Sequence, residues 1–274
     1  MSESNLVLRD LRDGVLTLTL NRPDRNNAFT VPLEHAYYDA LEEAAADEAV
    51  RVIVLTGAGR SFCPGLDVQV LAEGIKAGKL ETEKPRRKPS YPLSIPKPII
   101  AAINGAAAGI GLTLTLTCDV RFAVKGAKLT TAWARRGLVG EHGMTWLIPR
   151  LVGGARAMEL MISGRTILTD EAHAMGLIHQ LTEPGEVLPA AQAYAQDLAA
   201  NVSPASMAFI KWQAYRDLQR LDYDGGLAMS QHLIDEMNTY PDPTEGVKSF
   251  AERRAPAFPP LPANFDMAKH SGES

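Results

Sequence analysis

The sequence predicts an α/β chain in which strands and helices alternate through the first two hundred residues and helices dominate beyond them. Three observations carry that prediction. The first sixty residues read as strand, strand, helix, strand; the run from Pro98 to Cys118 holds no charged residue and reads as a buried strand turning into a buried helix; and helical periodicity takes over near residue 200. With 274 residues, 46% of them hydrophobic, the chain can bury a full core as one large domain or as one domain with an appendage. Residues 1–200 are expected to form the mixed core and residues 201–274 a helical region.

The elements follow from local chemistry. Val7 to Asp13 and Val15 to Leu20 alternate apolar and polar residues around Gly14, the pattern of two strands and a tight turn. Asn21-Arg22-Pro23 ends the second strand, and Asp24 to Phe29 is a polar loop. Thr30, with Glu34 after it, caps a helix whose apolar residues Leu33, Tyr37, Leu41 and Ala44 recur at helical spacing. Val50 to Thr56 is a β-branched strand closed by Gly57-Ala58-Gly59. Ser61 to Asp67 is a strand-to-helix junction bent at Pro64-Gly65, with Asp67 as N-cap. Ala72 to Pro92 is polar and basic, with Lys84, Arg86, Arg87 and Lys88 among prolines, and reads as a long exposed loop suited to a lid or a phosphate contact.

The second half continues the pattern. Ile99 to Ile103 is a buried strand, broken at Asn104-Gly105 before Ala106, Ala107, Ala108, Gly109 and Gly111 lead into a helix. Val120 to Val124 and Ala127 to Thr131 are strands, Ala132 to Gly143 is a loop, and helices are expected over Met144–Leu151 and Ala155–Ile162. Further helices fall at Glu171–Met175, Val187–Asn201, Ser203–Leu221 and Gly225–Asn238.

Composition narrows the function. A net charge of -4 argues against a nucleic-acid surface. Two cysteines, Cys63 and Cys118, each in an apolar segment, indicate neither a disulfide framework nor a metal cluster, and point to a reducing compartment. The first fourteen residues lack a secretory pattern and the glycine- and threonine-broken run after Pro98 suits a buried helix better than a membrane span, so a cytoplasmic location is expected. The glycines around Gly109 lack the dinucleotide spacing, and the six histidines show no ligand pairing; no nicotinamide, flavin or metal is expected.

The two strand-to-helix junctions carry the chemistry. A strand that turns through small residues into a helix leaves backbone N–H groups unpaired, and such groups hold an oxygen that bears negative charge.

Taken in order, Leu20-Asn21-Arg22-Pro23 with Asn27-Ala28, Val54 to Gly57, Ser61-Phe62 with Gly65 and Asp67, Lys97-Pro98 through Asn104-Gly105, Cys118-Asp119, and Glu245-Gly246 with Phe250, Glu252, Arg253, Pro256 and Phe258 resemble the crotonase, or enoyl-CoA hydratase/isomerase, superfamily. The match spans nearly the whole chain. The resemblance implies a spiral of strand-strand-helix units, a C-terminal helical region that packs homotrimers or dimers of trimers, and a coenzyme A thioester as substrate in place of any permanently bound cofactor. It places the backbone donors for the thioester oxygen on Leu66 and Ile110. Arg25, Ala28, Pro64 and Gly65 fall at positions beside the coenzyme, and Phe250 and Arg253 at positions that reach the coenzyme of a neighbouring subunit.

The chain departs from the family at the catalytic pair. The positions of the two glutamates of the typical hydratase carry Thr113 and Trp133, and neither a hydroxyl nor an indole N–H is a general base near neutral pH. Glu141, eight residues after Trp133, resembles the acidic residue of dienoyl-CoA isomerases and the nucleophilic aspartate of 4-chlorobenzoyl-CoA dehalogenase, which also carries tryptophan at the position of Trp133. Expectation therefore centres on an acyl-CoA enzyme with Glu141 as its one carboxylate acid/base, Trp133 walling the acyl pocket and His142 as a second proton-handling candidate. Hydration, isomerisation, and hydrolysis or dehalogenation through attack by Glu141 are the open chemistries, beside a non-catalytic acyl-CoA-binding role.

Overall fold

The computed structural model describes residues 5–76, 87–220 and 222–270. Strands β1 (Val7–Arg12) and β2 (Val15–Leu20) pair antiparallel across a turn in which Asp13 and Gly14 both take positive φ, the geometry of a two-residue hairpin. Helix α1 (Val31–Ala46) follows, its first turn closed by the Thr30 hydroxyl accepting from the Leu33 N–H. Strand β3 (Val52–Gly57) then runs parallel to β2. This order matches the reading of the first sixty residues.

Next come β4 (Ser61–Cys63), α2 (Val68–Lys76), the single-turn α3 (Tyr91–Ser94), β5 (Ile99–Ile103), β6 (Ala106–Ala108), α4 (Ile110–Leu116), β7 (Val120–Val124) and β8 (Lys128–Thr130). After them lie α5 (Met144–Val152), α6 (Gly154–Ser163), β9 (Ile167–Leu168), α7 (Thr169–Ala174), β10 (Gln180–Thr182), α8 (Val187–Asn201), α9 (Pro204–Asp217), α10 (Tyr223–Met237) and α11 (Asp242–Glu252).

Two sheets result. One has the order β1-β2-β3-β5-β7-β10 and is parallel from β2 onward; the other has the order β4-β6-β8-β9. The chain alternates between them, adding one strand to each sheet and then a helix, which is the spiral. Strands β3 and β5 are buried along their whole length because both faces of the larger sheet are covered. Ile53 and Leu55 point into the main core with Leu33, Tyr37 and Leu41 of α1, whereas Val52, Val54, Ile100 and Ala102 meet Ala191, Ala195 and Ala199 of α8 on the other face.

The region beyond residue 200 is anchored to the core through Asp119. One of its oxygens accepts from the Ile99 N–H at 2.7 Å and pairs with the Lys211 ammonium at 2.8 Å, and the other accepts from the Tyr215 hydroxyl at 3.0 Å. Lys211 also donates to the carbonyls of Pro92 and Lys97, both at 3.0 Å, so α9 is stitched to β5 and to the segment before it.

Several boundaries differ from those read in the sequence. The segment 72–92 is not one loop: α2 runs to Lys76 and Tyr91 and Pro92 belong to α3, while Lys84 and Arg86 lie outside the described residues. Arg87, still exposed, pairs with Glu42 at 2.5 Å and stacks over Tyr91. Ala106 to Ala108 form a strand, because the β4 and β8 backbones flank them at hydrogen-bonding distance, which alanine alone does not signal. The two-residue β9 and three-residue β10 are too short for a period to register, and α11 falls over a segment with proline and glycine.

Candidate active site

Strands β4, β6 and β8 are parallel neighbours, so their carboxyl ends open on the same edge. The residues that follow each strand, Pro64 to Val68, Gly109-Ile110 and Thr131 to Trp133, line one cleft of about 480 Å³ there. A crevice outside the carboxyl ends of parallel strands is the usual place for a ligand in an α/β sheet. Asp24 to Asn26 and Ala28 close one side, and Arg136, Leu138, Glu141 and His142 the other.

Glycine permits the two junctions to touch. Gly65 has φ +112, and a Cβ on it would stand 3.2 Å from the Ala108 carbonyl oxygen. Gly111, in the first turn of α4, leaves no room at all: a Cβ there would lie 2.0 Å from the Cys63 carbonyl oxygen. Backbone thus approaches backbone, and the N–H groups of Leu66 and Ile110 are carried on adjacent turns. Neither donates to a backbone oxygen among the described residues; the flanking Asp67 N–H is used by Phe29 and the Gly109 N–H by Thr130. Ile110 keeps an ordinary negative-φ backbone and is 9% exposed, so its side chain packs inward without strain.

Asp67 does more than cap α2. One carboxylate oxygen accepts from the Gln69 N–H at 3.0 Å and the other pairs with Arg22 at 3.1 Å, while Arg22 also donates to the Ala28 carbonyl. Burial raises the Asp67 pKa, but the Gln69 N–H and the Arg22 guanidinium outweigh it and hold the carboxyl below its ordinary value. Neither Arg22 nor the buried Asn27 stood out in the sequence as a site residue. Asn27 donates to the carbonyls of Ala58 and Ser61 and accepts from the Arg22 N–H, fixing the loop that carries Arg25 and Ala28. A depressed carboxylate contributes stability that is complete above the ordinary pKa of about 4 and fades as pH falls through the folded value. Acid unfolding followed by circular dichroism should therefore show wild type more stable than Asp67→Asn near neutrality, with the gap closing below about pH 4.

Of the two residues expected to stand in place of catalytic glutamates, Trp133 lines the cleft and Thr113 does not. Thr113 is buried with its hydroxyl on the Gly109 carbonyl at 3.3 Å. Trp133 is 3% exposed, and its indole N–H is buried with no hydrogen-bond partner among the described residues. A donor left so costs about 1–3 kcal/mol, and an acceptor entering the cleft would recover it. Glu141 is half-buried, 3.8 Å from the His142 imidazole, and His142 takes φ +57. Three carboxylates line the cleft. Asp67 is committed to Arg22 and Gln69 and Asp24 is exposed in the turn beside Arg25, which leaves Glu141 as the one beside Trp133. Arg136 and Leu138 complete that wall and were not distinguished in the sequence.

Arg25, Ala28, Pro64, Gly65, Leu66, Ile110, Trp133 and Glu141 are thus brought together. Phe250 and Arg253 are not: neither lines this cleft, Phe250 being 86% exposed on α11 and Arg253 capping that helix in a left-handed conformation.

The spiral of parallel strands and its backbone-walled cleft define a protein of the crotonase class. A family model for enoyl-CoA hydratase/isomerase matches residues 10–260, and the chain belongs to that family of acyl-CoA enzymes. Among relatives, it is 33% identical over 261 residues to the 1,2-epoxyphenylacetyl-CoA isomerase of Escherichia coli (strain K12), covering 92% of this chain and 97% of that one. It is 37% identical over 254 residues to a probable enoyl-CoA hydratase of Rhodobacter capsulatus, covering 91% and 96%. Among solved structures, a probable enoyl-CoA hydratase/isomerase from Mycobacterium abscessus superposes with a TM-score of 0.85 at 32% identity, over 93% of this chain and 99% of that one. The enoyl-CoA hydratase EchA12_1 from Mycobacterium marinum is 44% identical, with a TM-score of 0.68 over 79% of this chain and all of that one. No described helix is long and apolar enough to cross a membrane.

Proposed function

We propose that this chain moves a proton within an unsaturated acyl-CoA thioester, with the Leu66 and Ile110 N–H groups holding the thioester oxygen and Glu141 as the one carboxylate acid/base. The observation that carries the reading is the cleft's composition: two backbone donors on touching turns that make no backbone bond among the described residues, and Glu141 as the carboxylate that shares the cleft with Trp133 and is not held by Arg22. Glu141 takes a proton from the α-carbon, the electron pair moves into the carbonyl, and the resulting enolate oxygen rests on the two N–H groups. Returning the proton at the γ-carbon shifts the double bond, and needs no other reagent. One carboxylate suffices for that sequence, whereas adding water is easier with two. One relative is named as an isomerase of an acyl-CoA thioester and others as enoyl-CoA hydratases, which is why the test compares the two reactions.

The coenzyme lies along Asp24 to Ala28 and Pro64-Gly65, with Arg25 facing a phosphate. The chain assembles as a trimer or dimer of trimers through residues 201–274, and Phe250 and Arg253 meet a neighbour's coenzyme. Support for that assembly is the apolar face left outward on α11, where Val247 is 72% exposed beside Phe250. The test is an ultraviolet assay on crotonyl-CoA and on a 3-enoyl-CoA. Gain of conjugated-thioester absorbance from the 3-enoyl substrate supports isomerisation; loss of absorbance from crotonyl-CoA alone would make hydration the reaction.

A further inference from the structure

A second cavity of about 410 Å³ lies between α3, α5 and α9. His142 lines both. It sits in a left-handed backbone conformation, as does Gly143 after it, so the chain bends sharply at the residue common to both. The second cavity has two indole rings in its wall, Trp146 and Trp212, each held by an arginine stacked over it at 4.0 and 4.7 Å. Arg150 further donates to the Trp146 and Leu218 carbonyls, tying α5 to the chain just past α9.

Its polar groups are mostly spent on the protein itself. The Ser94 hydroxyl donates to the Tyr91 carbonyl, Thr117 to the carbonyls of Thr113 and Leu114, Tyr215 to Asp119, and the Gln219 amide to the Tyr215 carbonyl. A ligand entering meets the indoles of Trp146 and Trp212 with Leu93 and Leu147, and the Arg216 guanidinium stacked over Trp212, a wall that offers a flat aromatic group both apolar contact and a cation–π partner.

We propose that this chamber receives the distal part of the acyl group past His142, and that it selects thioesters whose acyl group bears an aromatic ring. The proposal rests on the acyl-CoA reading above, and its test separates the two. Dissociation constants for phenylacetyl-CoA, acetyl-CoA and free coenzyme A are measured by calorimetry on the full chain. Wild type should bind phenylacetyl-CoA at least tenfold more tightly than acetyl-CoA. Ser94→Trp, which fills the chamber from an exposed position, and Trp212→Ala, which removes one wall, should each erase that preference while acetyl-CoA binding stays within twofold; Trp212→Phe should restore it. A wild type without the preference, or a preference that survives Ser94→Trp, overturns the proposal. So does a changed oligomeric state of Ser94→Trp with the preference intact, which would make the chamber a subunit contact. If neither thioester binds better than free coenzyme A, the acyl-CoA reading fails with it.

Discussion

Glu141→Gln should lower kcat/KM on an unsaturated acyl-CoA thioester about a hundredfold or more, the range in which a positioned general base contributes. Glutamine keeps the size and one acceptor oxygen of the side chain but cannot take a proton. The dissociation constant for the thioester should hold within about threefold, because the donors on Leu66 and Ile110 are untouched. Three neighbours cannot stand in. Asp67 is held by Arg22 and Gln69, Thr113 faces away onto the Gly109 carbonyl, and Trp133 has no basic atom. If water must be added instead, the same substitution removes the group that would activate it, so the fall is expected on either substrate. Single-turnover kinetics beside equilibrium binding separates the two parameters.

The second large effect is expected from one atom. Replacing the Leu66 residue by leucic acid turns its amide into an ester and removes the N–H while keeping the side chain. Among the described residues this N–H makes no backbone bond, but the ester also weakens the Gly65 carbonyl that accepts from the Phe29 N–H, so circular dichroism is used to confirm that the variant is folded. Loss of one fixed donor to a developing oxyanion costs about 10²–10³ in kcat, or ~3–4 kcal/mol. Binding of a substrate analogue with no enolate character should be nearly unchanged, since the bond strengthens only as charge develops. A variant with full kcat would mean that the thioester oxygen rests elsewhere.

The parts of this architecture that the sequence displayed are those encoded locally. The Thr30 cap, the alternation of β2, the apolar run of β5 and the small residues of the second junction all announce themselves within a few positions. What escaped was fixed by partners far away in the chain. Ala106 to Ala108 become a strand only because β4 and β8 lie on either side, and Asn27 and Arg22 matter only once Ser61, Ala58 and Asp67 have been folded against them. The same holds for the site. Glu141 and Trp133 stand eight residues apart in the sequence and could be paired through a family likeness, whereas Arg136 and Leu138 lie in a turn whose place on the cleft wall no local pattern encodes. Phe250 and Arg253 illustrate the opposite limit: a motif can be legible in the sequence while the folded chain leaves it outside the cleft.

The most direct test of the central claim is proton exchange at the acyl group. A 3-enoyl-CoA is incubated in D₂O with wild type and with Glu141→Gln, and deuterium is located by proton magnetic resonance. The account predicts that wild type converts it to the 2-enoyl thioester, with deuterium entering only as far as the proton on Glu141 exchanges with solvent before its return, and that Glu141→Gln converts it at least about a hundredfold more slowly. Conversion at the wild-type rate in Glu141→Gln, or no exchange and no isomerisation in the wild type, would contradict it.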